Sequence, residues 1–417
     1  MNNEVDILRF ATAGSVDDGK STLIGRLLYD AQGVFIDQLE SLKGTSDKKE
    51  NSGIDFALIT DGLKAEREQG ITIDVAYRYF STPRRKFIIA DTPGHVQYTR
   101  NMFTGASNSD LAIILIDARK GVLQQSKRHL YISWLLGIKQ IIVAINKMDL
   151  VNYEEKTFDF IKKDFLSISK NLKLPKIDVI PISALNGDNI ISKSNNIKWY
   201  KNQTLIELLE RAEPMNNKES SGVRFPVQLV NRVDNEKTKD YRGFLGTLVG
   251  DEFSIGTEIN VLPSNFNAKI TKIIKSGLEA DIAKIGDSVS ICLDKEIDIS
   301  RGDMIVKRGD LPQISNIIIA NICWMDSEPL NIKKKYLFKH CNKITKCIVK
   351  NLVYKIDMET LEQQKDASSI EMNDVGQVSL KLFKSIAYDT YSKNQTTGAF
   401  ILIDSDTNNT VAAGTIS

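Results

Sequence analysis

The amino-acid sequence predicts an α/β domain with a mostly parallel sheet and helices on both faces, followed by two small antiparallel β-barrel domains. In the first half, apolar runs of strand length alternate with helical patterns, which is typical of a parallel sheet covered on both faces. In the second half, short strand-like runs follow one another across turns that contain Gly, Asp and Asn, which is typical of small barrels. We therefore expect three domains, at residues 1–215, 222–309 and 310–417.

The spacing of apolar residues predicts the individual elements. The expected strands of the first domain are Ile7–Ala13, Ala76–Phe80, Lys86–Ala90, Leu111–Ile116, Ile141–Ile145 and Ile177–Ile182. The helices expected in that domain include Lys20–Leu28, Gln124–Leu136, Tyr153–Leu166 and Thr204–Ala212. The barrel strands expected behind it include Phe225–Asn231, Phe244–Val249, Glu258–Leu262, Ser288–Cys292, Ile344–Ile356, Val375–Phe383 and Gly398–Ile403.

Composition narrows the class of protein. Of the 417 residues, 42% are hydrophobic and 26% are charged, as in globular proteins. The net charge of +2 does not predict a strongly basic surface for nucleic acid. The four cysteines show no C-x-x-C pairing and are expected to be reduced thiols. Because no export signal and no apolar stretch of membrane length occurs, we expect a cytoplasmic protein.

The strongest motif is a complete phosphate-binding loop between a predicted strand and a predicted helix. It reads Gly14-Ser15-Val16-Asp17-Asp18-Gly19-Lys20-Ser21-Thr22. Its glycines let the backbone curl so that successive N–H groups point at phosphate oxygens, and the helix end strengthens this anion site. Lys20 is expected to reach the β- and γ-phosphates, and the Ser21 hydroxyl to coordinate Mg²⁺. The first domain is therefore predicted to be of the P-loop class.

A second motif follows the predicted strand that ends at Ala90. It reads Asp91-Thr92-Pro93-Gly94-His95. Asp91 is expected to hold the magnesium ion through water, and the Gly94 N–H to sense the γ-phosphate. His95 stands where P-loop GTPases place the group that orients the attacking water, so it is the candidate catalytic residue. The alternative for His95 is an ordinary surface histidine, whereas His129 and His340 are interpreted as structural.

Two further motifs are expected to select the base. The run Asn146-Lys147-Met148-Asp149 follows one predicted strand, and Ser183-Ala184-Leu185 follows the next. A carboxylate at Asp149 would accept hydrogen bonds from N1–H and the 2-amino group of guanine, two donors that adenine lacks. N-K-x-D alone is a weak signal, but its order after a P-loop and D-x-x-G predicts a GTPase rather than an ATPase.

A threonine is also needed to close over the metal in the GTP state. Gly70-Ile71-Thr72-Ile73 supplies Thr72, inside the long segment Tyr29–Asp74 that we interpret as a switch loop. The predicted metal ligands are thus Ser21, Thr72 and Asp91. The alternative for this stretch is the start of a β-strand.

Taken together, these motifs resemble those of the translation-factor class of GTPases, in which a GTP-binding domain precedes β-barrels. Ser15 and Asp18 stand where translation factors usually have histidines. Six further runs are similar to the GTPase subunits (subunit 1) of bacterial sulfate adenylyltransferases: Asp61–Tyr77, Tyr98–Met102, Ile116–Val122, Arg224–Gln228, Asp298–Met304 and Thr397–Asp404.

The resemblance implies that the chain hydrolyses GTP with Mg²⁺ and drives a partner, the catalytic ATP sulfurylase subunit, in a heterodimer or larger complex. That partner joins ATP and sulfate into adenosine 5′-phosphosulfate and pyrophosphate during sulfate assimilation. The resemblance also implies that Val16 and Ile71 form an apolar gate beside His95, and that Asp17 helps to hold a monovalent cation. No second P-loop motif occurs, so neither a fused adenylylsulfate kinase nor an ATP site is expected.

Two other functions share this fold and this GTP site. A translation elongation factor would bind aminoacyl-tRNA, and a regulatory GTPase would signal without coupled chemistry. The near-neutral charge, Ser15 and Asp18 favour the sulfate adenylyltransferase subunit, with no membrane or nucleic-acid partner.

Overall fold

The computed structural model describes residues 6–31, 56, 72, 74–172, 174, 176–214, 222–235 and 238–417. The chain forms two compact units. One comprises Met1–Met215 with Asp357–Glu362, and the other comprises Asn216–Ile356 with Gln363–Ser417. The predicted switch segment Tyr29–Asp74, with Ile71, lies outside the described residues except for its first three residues, Phe56, Thr72 and Asp74.

The first unit is built on a six-stranded sheet of order β2-β3-β1-β4-β5-β6. Its strands are β1 (Ile7–Ala13), β2 (Ala76–Ser81), β3 (Lys86–Asp91), β4 (Leu111–Asp117), β5 (Gln140–Asn146) and β6 (Lys176–Pro181). Only the edge strand β2 runs antiparallel to its neighbour, and the pairs β1–β3, β1–β4, β4–β5 and β5–β6 are parallel. Every residue of β4 is buried, as expected for a central strand covered on both faces.

Within its described residues, this unit has five helices: α1 (Lys20–Asp30), α2 (Thr99–Ala106), α3 (Gln124–Leu135), α4 (Glu155–Ser169) and α5 (Leu205–Arg211). Three short 3₁₀ turns accompany them, at Val96–Tyr98, Met148–Val151 and Lys170–Leu172. Apolar side chains of α1 and α5 pack with those of the central strands in one core cluster. Among the described residues, no helix is both long enough and apolar enough to cross a membrane.

The second unit begins with a closed barrel. Its strands are β7 (Val223–Asn235), β8 (Thr238–Thr247), β9 (Val249–Gly250), β10 (Phe253–Ser254), β11 (Glu258–Leu262), β12 (Phe266–Lys275), β13 (Leu278–Ala280), β14 (Ile282–Ala283), β15 (Ser288–Leu293) and β16 (Met304–Lys307). The ring β11-β16-β7-β8-β15-β12 closes through the β11–β12 pairing. Phe225, Phe244 and Ile291 are buried inside it.

A second closed barrel follows. It contains β17 (Gln313–Trp324), β18 (Lys335–His340), β19 (Lys343–Ile356), β20 (Gln363–Gln364), β21 (Val375–Tyr388), the short α6 (Gln395–Gly398), β22 (Ala399–Asp404) and β23 (Thr410–Ile416). The ring β18-β22-β23-β17-β21-β19 closes through the β18–β19 pairing. The predicted fold class, a P-loop α/β domain followed by two antiparallel β-barrels, is therefore confirmed.

A buried ion pair joins the two barrels. Arg224 in β7 is fully buried, and Asp389, which directly follows β21, is 3% exposed. The Arg224 guanidinium donates from Nε to Asp389 Oδ2 at 2.9 Å and from Nη2 to Oδ1 at 3.1 Å. Its Nη1 donates to the carbonyl oxygens of Val223 and Asp310, each at 3.0 Å. All three nitrogens of this guanidinium therefore donate to acceptors, and the two bonds to Asp389 fix one barrel against the other.

We expect Arg224→Met to lower the free energy of unfolding by about 3–5 kcal/mol, because it removes the buried cation that makes two hydrogen bonds to the Asp389 carboxylate. Denaturant titration of the full chain measures the change. Arg308→Met is the matched control, since the Arg308–Glu258 pair is 2.9 Å long but more than half exposed on both sides. The control should cost about 1 kcal/mol or less. Equal losses in the two variants would contradict a special role for the buried pair.

Candidate nucleotide-binding site

Four sequence motifs meet at one edge of the first unit's sheet. Strands β1, β3, β5 and β6 are linked through parallel pairings, so their carboxyl ends lie at the same edge. The phosphate-binding loop, the Asp91–His95 segment, the Asn146–Asp149 segment and the Ser183–Leu185 segment follow these ends in turn. Ligands of open α/β sheets bind at this edge, so the topology alone brings the predicted residues together.

The phosphate-binding loop has the backbone that its sequence predicts. Asp17 and Gly19 adopt left-handed conformations, with φ of 71° and 89°. A Cβ atom on Gly19 would lie 2.5 Å from Asn146 Nδ2, so only glycine fits there. Helix α1 starts directly after Gly19 without a side-chain cap. Its first backbone N–H groups, including those of Lys20, Ser21 and Thr22, are therefore left for an anion.

Asp18 is buried inside the loop and supports its shape. Its Oδ2 accepts a hydrogen bond of 2.6 Å from the Ser15 N–H, and its side chain is almost fully buried. Burial raises the pKa of Asp18 to about 6, against the lowering effect of the Ser15 hydrogen bond. This carboxyl is thus an internal brace of the loop, a role that the sequence did not reveal.

The Asp91–His95 segment approaches the phosphate-binding loop closely. Thr92 Oγ1 donates to the carbonyl of Thr12 at 2.7 Å. A Cβ on Gly94 would lie 2.3 Å from the Gly14 carbonyl oxygen, so a larger residue would push the two segments apart. The glycine of D-x-x-G is therefore required here for contact between loops as well as for any contact with phosphate.

The predicted phosphate and metal residues also lie together. The Lys20 ammonium, only 7% exposed, donates to Thr72 Oγ1 at 2.7 Å and forms an ion pair with Asp91 Oδ1. The described residues hold no group of three His, Cys, Asp or Glu side chains that could bind a metal. One carboxylate and two hydroxyls, from Asp91, Thr72 and Ser21, instead fit Mg²⁺, which takes oxygen ligands and usually completes its shell with phosphate and water.

Asn146 connects three segments of the site. Its Nδ2 donates to the carbonyl of Asp18 at 2.8 Å, and its Oδ1 accepts from the Ala184 N–H at 2.9 Å. The side chain is 2% exposed. Asn146 therefore holds the phosphate-binding loop and the Ser183–Leu185 segment in fixed positions on either side of β5.

Lys147 and its neighbours form a charged cluster on the same side. Lys147 has a left-handed backbone, its ammonium donates to the Asp17 carbonyl, and it lies 3.1 Å from Asp117 Oδ2. The Arg119 guanidinium also binds Asp117, with donor distances of 3.0 Å and 2.6 Å. Burial raises the pKa of Asp117, but the hydrogen bonds from Arg119 and Lys147 outweigh it and hold that pKa well below its usual range. Sequence reasoning singled out neither Asp117 nor Arg119 as part of the site.

The segments that carry Asp149 and Leu185 are linked behind the site. Tyr153 donates from its hydroxyl to Asp188 Oδ2 at 3.0 Å, and Arg26 Nη1 donates to the Leu185 carbonyl at 3.1 Å. Met148 is fully buried and anchors the 3₁₀ turn, while Leu185 is 59% exposed. Within the described part of the chain, no hydrogen bond uses the Asp149 carboxylate. It is therefore available to accept from a ligand.

His95 is half-buried at the start of the turn Val96–Tyr98. Its Nδ1 accepts from the Gln97 N–H at 3.2 Å, which places the proton of the neutral ring on Nε2. The ring centroid of His95 lies 6.0 Å from that of Tyr98.

The gate proposed for Val16 and Ile71 involves a residue outside the described part of the chain. His129 and His340 are buried, as expected of structural histidines.

We expect Asn146→Ala to lower the free energy of unfolding by about 2–4 kcal/mol, because it leaves the buried Asp18 carbonyl and Ala184 N–H without partners. Asn186→Ala is the matched control, since Asn186 Nδ2 makes one exposed bond of 3.3 Å to the Tyr153 hydroxyl. Thermal and denaturant unfolding measure both effects. A loss in Asn146→Ala no larger than in the control would contradict the linking role.

Comparison with known proteins places this site in a family. The elongation factor Tu GTP-binding domain family matches residues 5–248, and the family of GTP-eEF1A C-terminal domain-like regions matches residues 317–417. A sulfate adenylyltransferase subunit 1 from Pseudoalteromonas atlantica is 50% identical, covering 100% of this chain and 88% of that protein. The subunit 1 proteins of Alteromonas mediterranea and Teredinibacter turnerae are 49% and 48% identical, over 100% and 98% of this chain and 88% and 87% of their own lengths.

Among solved structures, the GTPase-like domain of S. cerevisiae Ski7, determined with bound GTP, matches with a TM-score of 0.54. That match covers 99% of this chain and 97% of the Ski7 chain at 18% sequence identity, so it supports the fold alone. The curated relatives cover the chain end to end at much higher identity. The chain therefore belongs to the family of sulfate adenylyltransferase subunit 1 proteins, the GTPase subunits of a nucleotidyltransferase, and its GTP-binding domain is of the elongation factor Tu type.

Proposed function

We propose that this chain hydrolyses GTP in the cytoplasm and couples that hydrolysis to the formation of adenosine 5′-phosphosulfate from ATP and sulfate by a catalytic partner subunit. The observation that carries the proposal is the 50% identity, over the whole chain, to a protein named sulfate adenylyltransferase subunit 1. Because that relative is named as a subunit, it is expected to act with a partner subunit. We propose that this chain also has such a partner. The geometry of the nucleotide site supports the GTP half of the proposal.

Guanine recognition is assigned to the segments on either side of Asn146. Asp149 accepts from N1–H and the 2-amino group of the base, and its carboxylate is not used by other described residues. The aliphatic stem of Lys147 and the exposed side chain of Leu185 cover the faces of the ring. Ser183 is fully buried and fixes the turn by accepting from the Asn186 N–H at 3.3 Å. Adenine would leave Asp149 unpaired, so GTP is preferred.

Phosphates and cations are assigned to the other side of the site. The N–H groups from Gly19 to Thr22 and the Lys20 ammonium bind the β- and γ-phosphates. Ser21, Thr72 and Asp91 would hold Mg²⁺, which neutralises charge on the transferred phosphate when bound. Asp17 is exposed at the rim of the phosphate-binding loop and is the proposed ligand of a monovalent cation.

Hydrolysis is assigned to His95. Its Nδ1 is occupied by the Gln97 N–H, so Nε2 is the ring nitrogen that orients the attacking water. The close approach of Gly94 to Gly14 makes the start of this segment sensitive to the γ-phosphate. When that phosphate leaves, Gly94 and Thr72 lose contacts and the segment after Gly94 can relax, and a bound partner can respond to the difference between the two states.

We expect His95→Ala to keep GTP affinity but to slow single-turnover hydrolysis about 10²-fold, as for other groups that position or move a proton. Lys20→Ala is the contrasting variant and should lose nucleotide affinity, because it removes the cation nearest the phosphates. Fluorescence titration with labelled GTP and rapid-quench hydrolysis separate the two effects. Normal hydrolysis by His95→Ala would assign the water-orienting role to another residue.

The coupling itself is tested by reconstitution with the catalytic ATP sulfurylase subunit. Labelled sulfate and released phosphate are followed together, with ATP and Mg²⁺, with and without GTP. We expect the chain alone to hydrolyse GTP slowly and to make no adenosine 5′-phosphosulfate, because its sequence contains a single P-loop motif and we assign that site to guanine nucleotides. With the partner, product should appear and GTP turnover should rise.

The His95→Ala chain is the matched control in this reconstitution. It should assemble with the catalytic subunit but support less product formation, since the energy source is lost while the complex is intact. Product formation by this chain alone, or equal yields with and without GTP, would show that coupling is wrongly assigned.

A further inference from the structure

The second barrel has one strongly positive face, made by the adjacent strands β17, β21 and β19. These strands pair in that order. Their sequences contain no Asp or Glu, but they contain the lysines Lys343, Lys346, Lys350, Lys355, Lys381 and Lys384. Across the whole chain, by contrast, 55 basic residues are balanced by 53 acidic ones. The excess of positive charge is thus a local feature of these three strands.

Among the described residues, four of these lysines have no acidic partner. Lys346, Lys350, Lys381 and Lys384 are exposed, and none of them makes an ion pair with any residue in the described ranges. The other two do have partners: Lys355 lies 3.1 Å from Asp374, and Lys343 lies 3.8 Å from Asp303. The unpaired ammonium groups repel one another, so the isolated face carries an electrostatic cost that an acidic surface would relieve.

Exposed apolar side chains lie among these lysines. Ile317 is 47% exposed, Ile319 is 40% exposed and Phe383 is 60% exposed. Ile317 pairs with Lys381 across β17 and β21, and Lys381 pairs in turn with Ile348 on β19. The apolar and basic groups therefore form one continuous surface, hereafter the β17–β21–β19 face. Apolar groups within a polar rim are typical of protein interaction sites.

We propose that the β17–β21–β19 face is the docking surface for the catalytic ATP sulfurylase subunit, which would present an acidic surface with an apolar centre. This inference rests on the proposed function, because it takes that subunit as the partner. Complementary charge would steer the encounter, and burial of Phe383, Ile317 and Ile319 would hold the complex.

The composition of the face favours a protein over a nucleic acid. Its cations are all lysines, whereas bidentate recognition of phosphate favours arginine. Phe383 is its one strongly exposed aromatic ring among the described residues, whereas single-stranded nucleic acid is usually bound by several stacking rings. The exposed isoleucines also favour a protein partner, because apolar side chains can pack against a protein surface but gain little from contact with a phosphate backbone.

The test measures binding of the full-length chain to the purified catalytic subunit by isothermal titration at low and high salt. We expect Lys381→Glu and Phe383→Ala each to raise Kd about tenfold or more. Lys381→Glu should also reduce the salt dependence of binding. GTP hydrolysis by the isolated variants should be unchanged, because neither residue belongs to the nucleotide site described above, and circular dichroism checks that each variant folds.

Matched controls come from the first barrel. Lys269→Glu makes the same charge change at an exposed lysine of β12, and Leu278→Ala truncates a side chain that is 74% exposed in β13. Both controls should change Kd by about twofold or less, as is usual for residues outside an interface.

The outcomes separate this inference from the proposed function. If the wild-type chain does not bind the catalytic subunit, the partner assignment fails and the docking surface fails with it. If the wild-type chain binds and Lys381→Glu and Phe383→Ala bind equally well, only the docking surface is wrong. Tight binding of a single-stranded RNA that Lys381→Glu abolishes, without any effect on the catalytic subunit, would also overturn it.

Discussion

The arrangement of the nucleotide site depends on the buried side-chain amide of Asn146, which links the phosphate-binding loop to the Ser183–Leu185 segment. A buried amide can donate and accept at once, and here it donates to the Asp18 carbonyl and accepts from the Ala184 N–H. The two segments it joins are far apart in sequence, and Asn146 connects them directly. With Asn146 in place, the phosphate-binding loop and the segment proposed to bind the base are held at a set distance without a ligand, which would reduce the entropy cost of binding.

Close contact between loops imposes a second constraint, and glycine satisfies it. Gly19 lies against the Asn146 amide, and Gly94 lies against the Gly14 carbonyl, at distances where a methyl group would collide. The phosphate-binding loop is therefore confined on two sides. Lys20, near the end of this loop, contacts both Asp91 and Thr72 through its ammonium group. It therefore connects the loop to the proposed metal ligands. In the proposed function, a change at the γ-phosphate would reach Thr72 and Gly94 through these short contacts.

The two barrels form a stiff unit for a different physical reason. Burying the Arg224 guanidinium would be costly by itself, but Asp389 and two carbonyl oxygens satisfy it, and Thr397 Oγ1 donates to the same carboxylate at 2.7 Å. A charge pair of this kind tolerates little displacement, because each lost hydrogen bond exposes a buried charge to an apolar surrounding. Barrels held together in this way would present the β17–β21–β19 face to a partner in a constant orientation.

The sequence by itself determined the fold class, the nucleotide motifs and the expected position of each along the chain. It could do so because a phosphate-binding loop, a D-x-x-G and an N-K-x-D are local patterns, and each of them follows the end of one strand. Alternating apolar runs likewise predicted the strands of the sheet, although the edge strand β2 proved antiparallel.

Only the tertiary structure decided which residues meet across the chain. Asn146 and Ala184 are 38 residues apart, and Arg224 and Asp389 are 165 residues apart, so no local pattern announces either pair. The same holds for the β17–β21–β19 face, whose lysines and isoleucines become neighbours through strand pairing alone. Side-chain hydrogen bonds and the distribution of surface charge depend on distances between residues in space. Those distances are set only when the strands pair to form the sheet and the barrels.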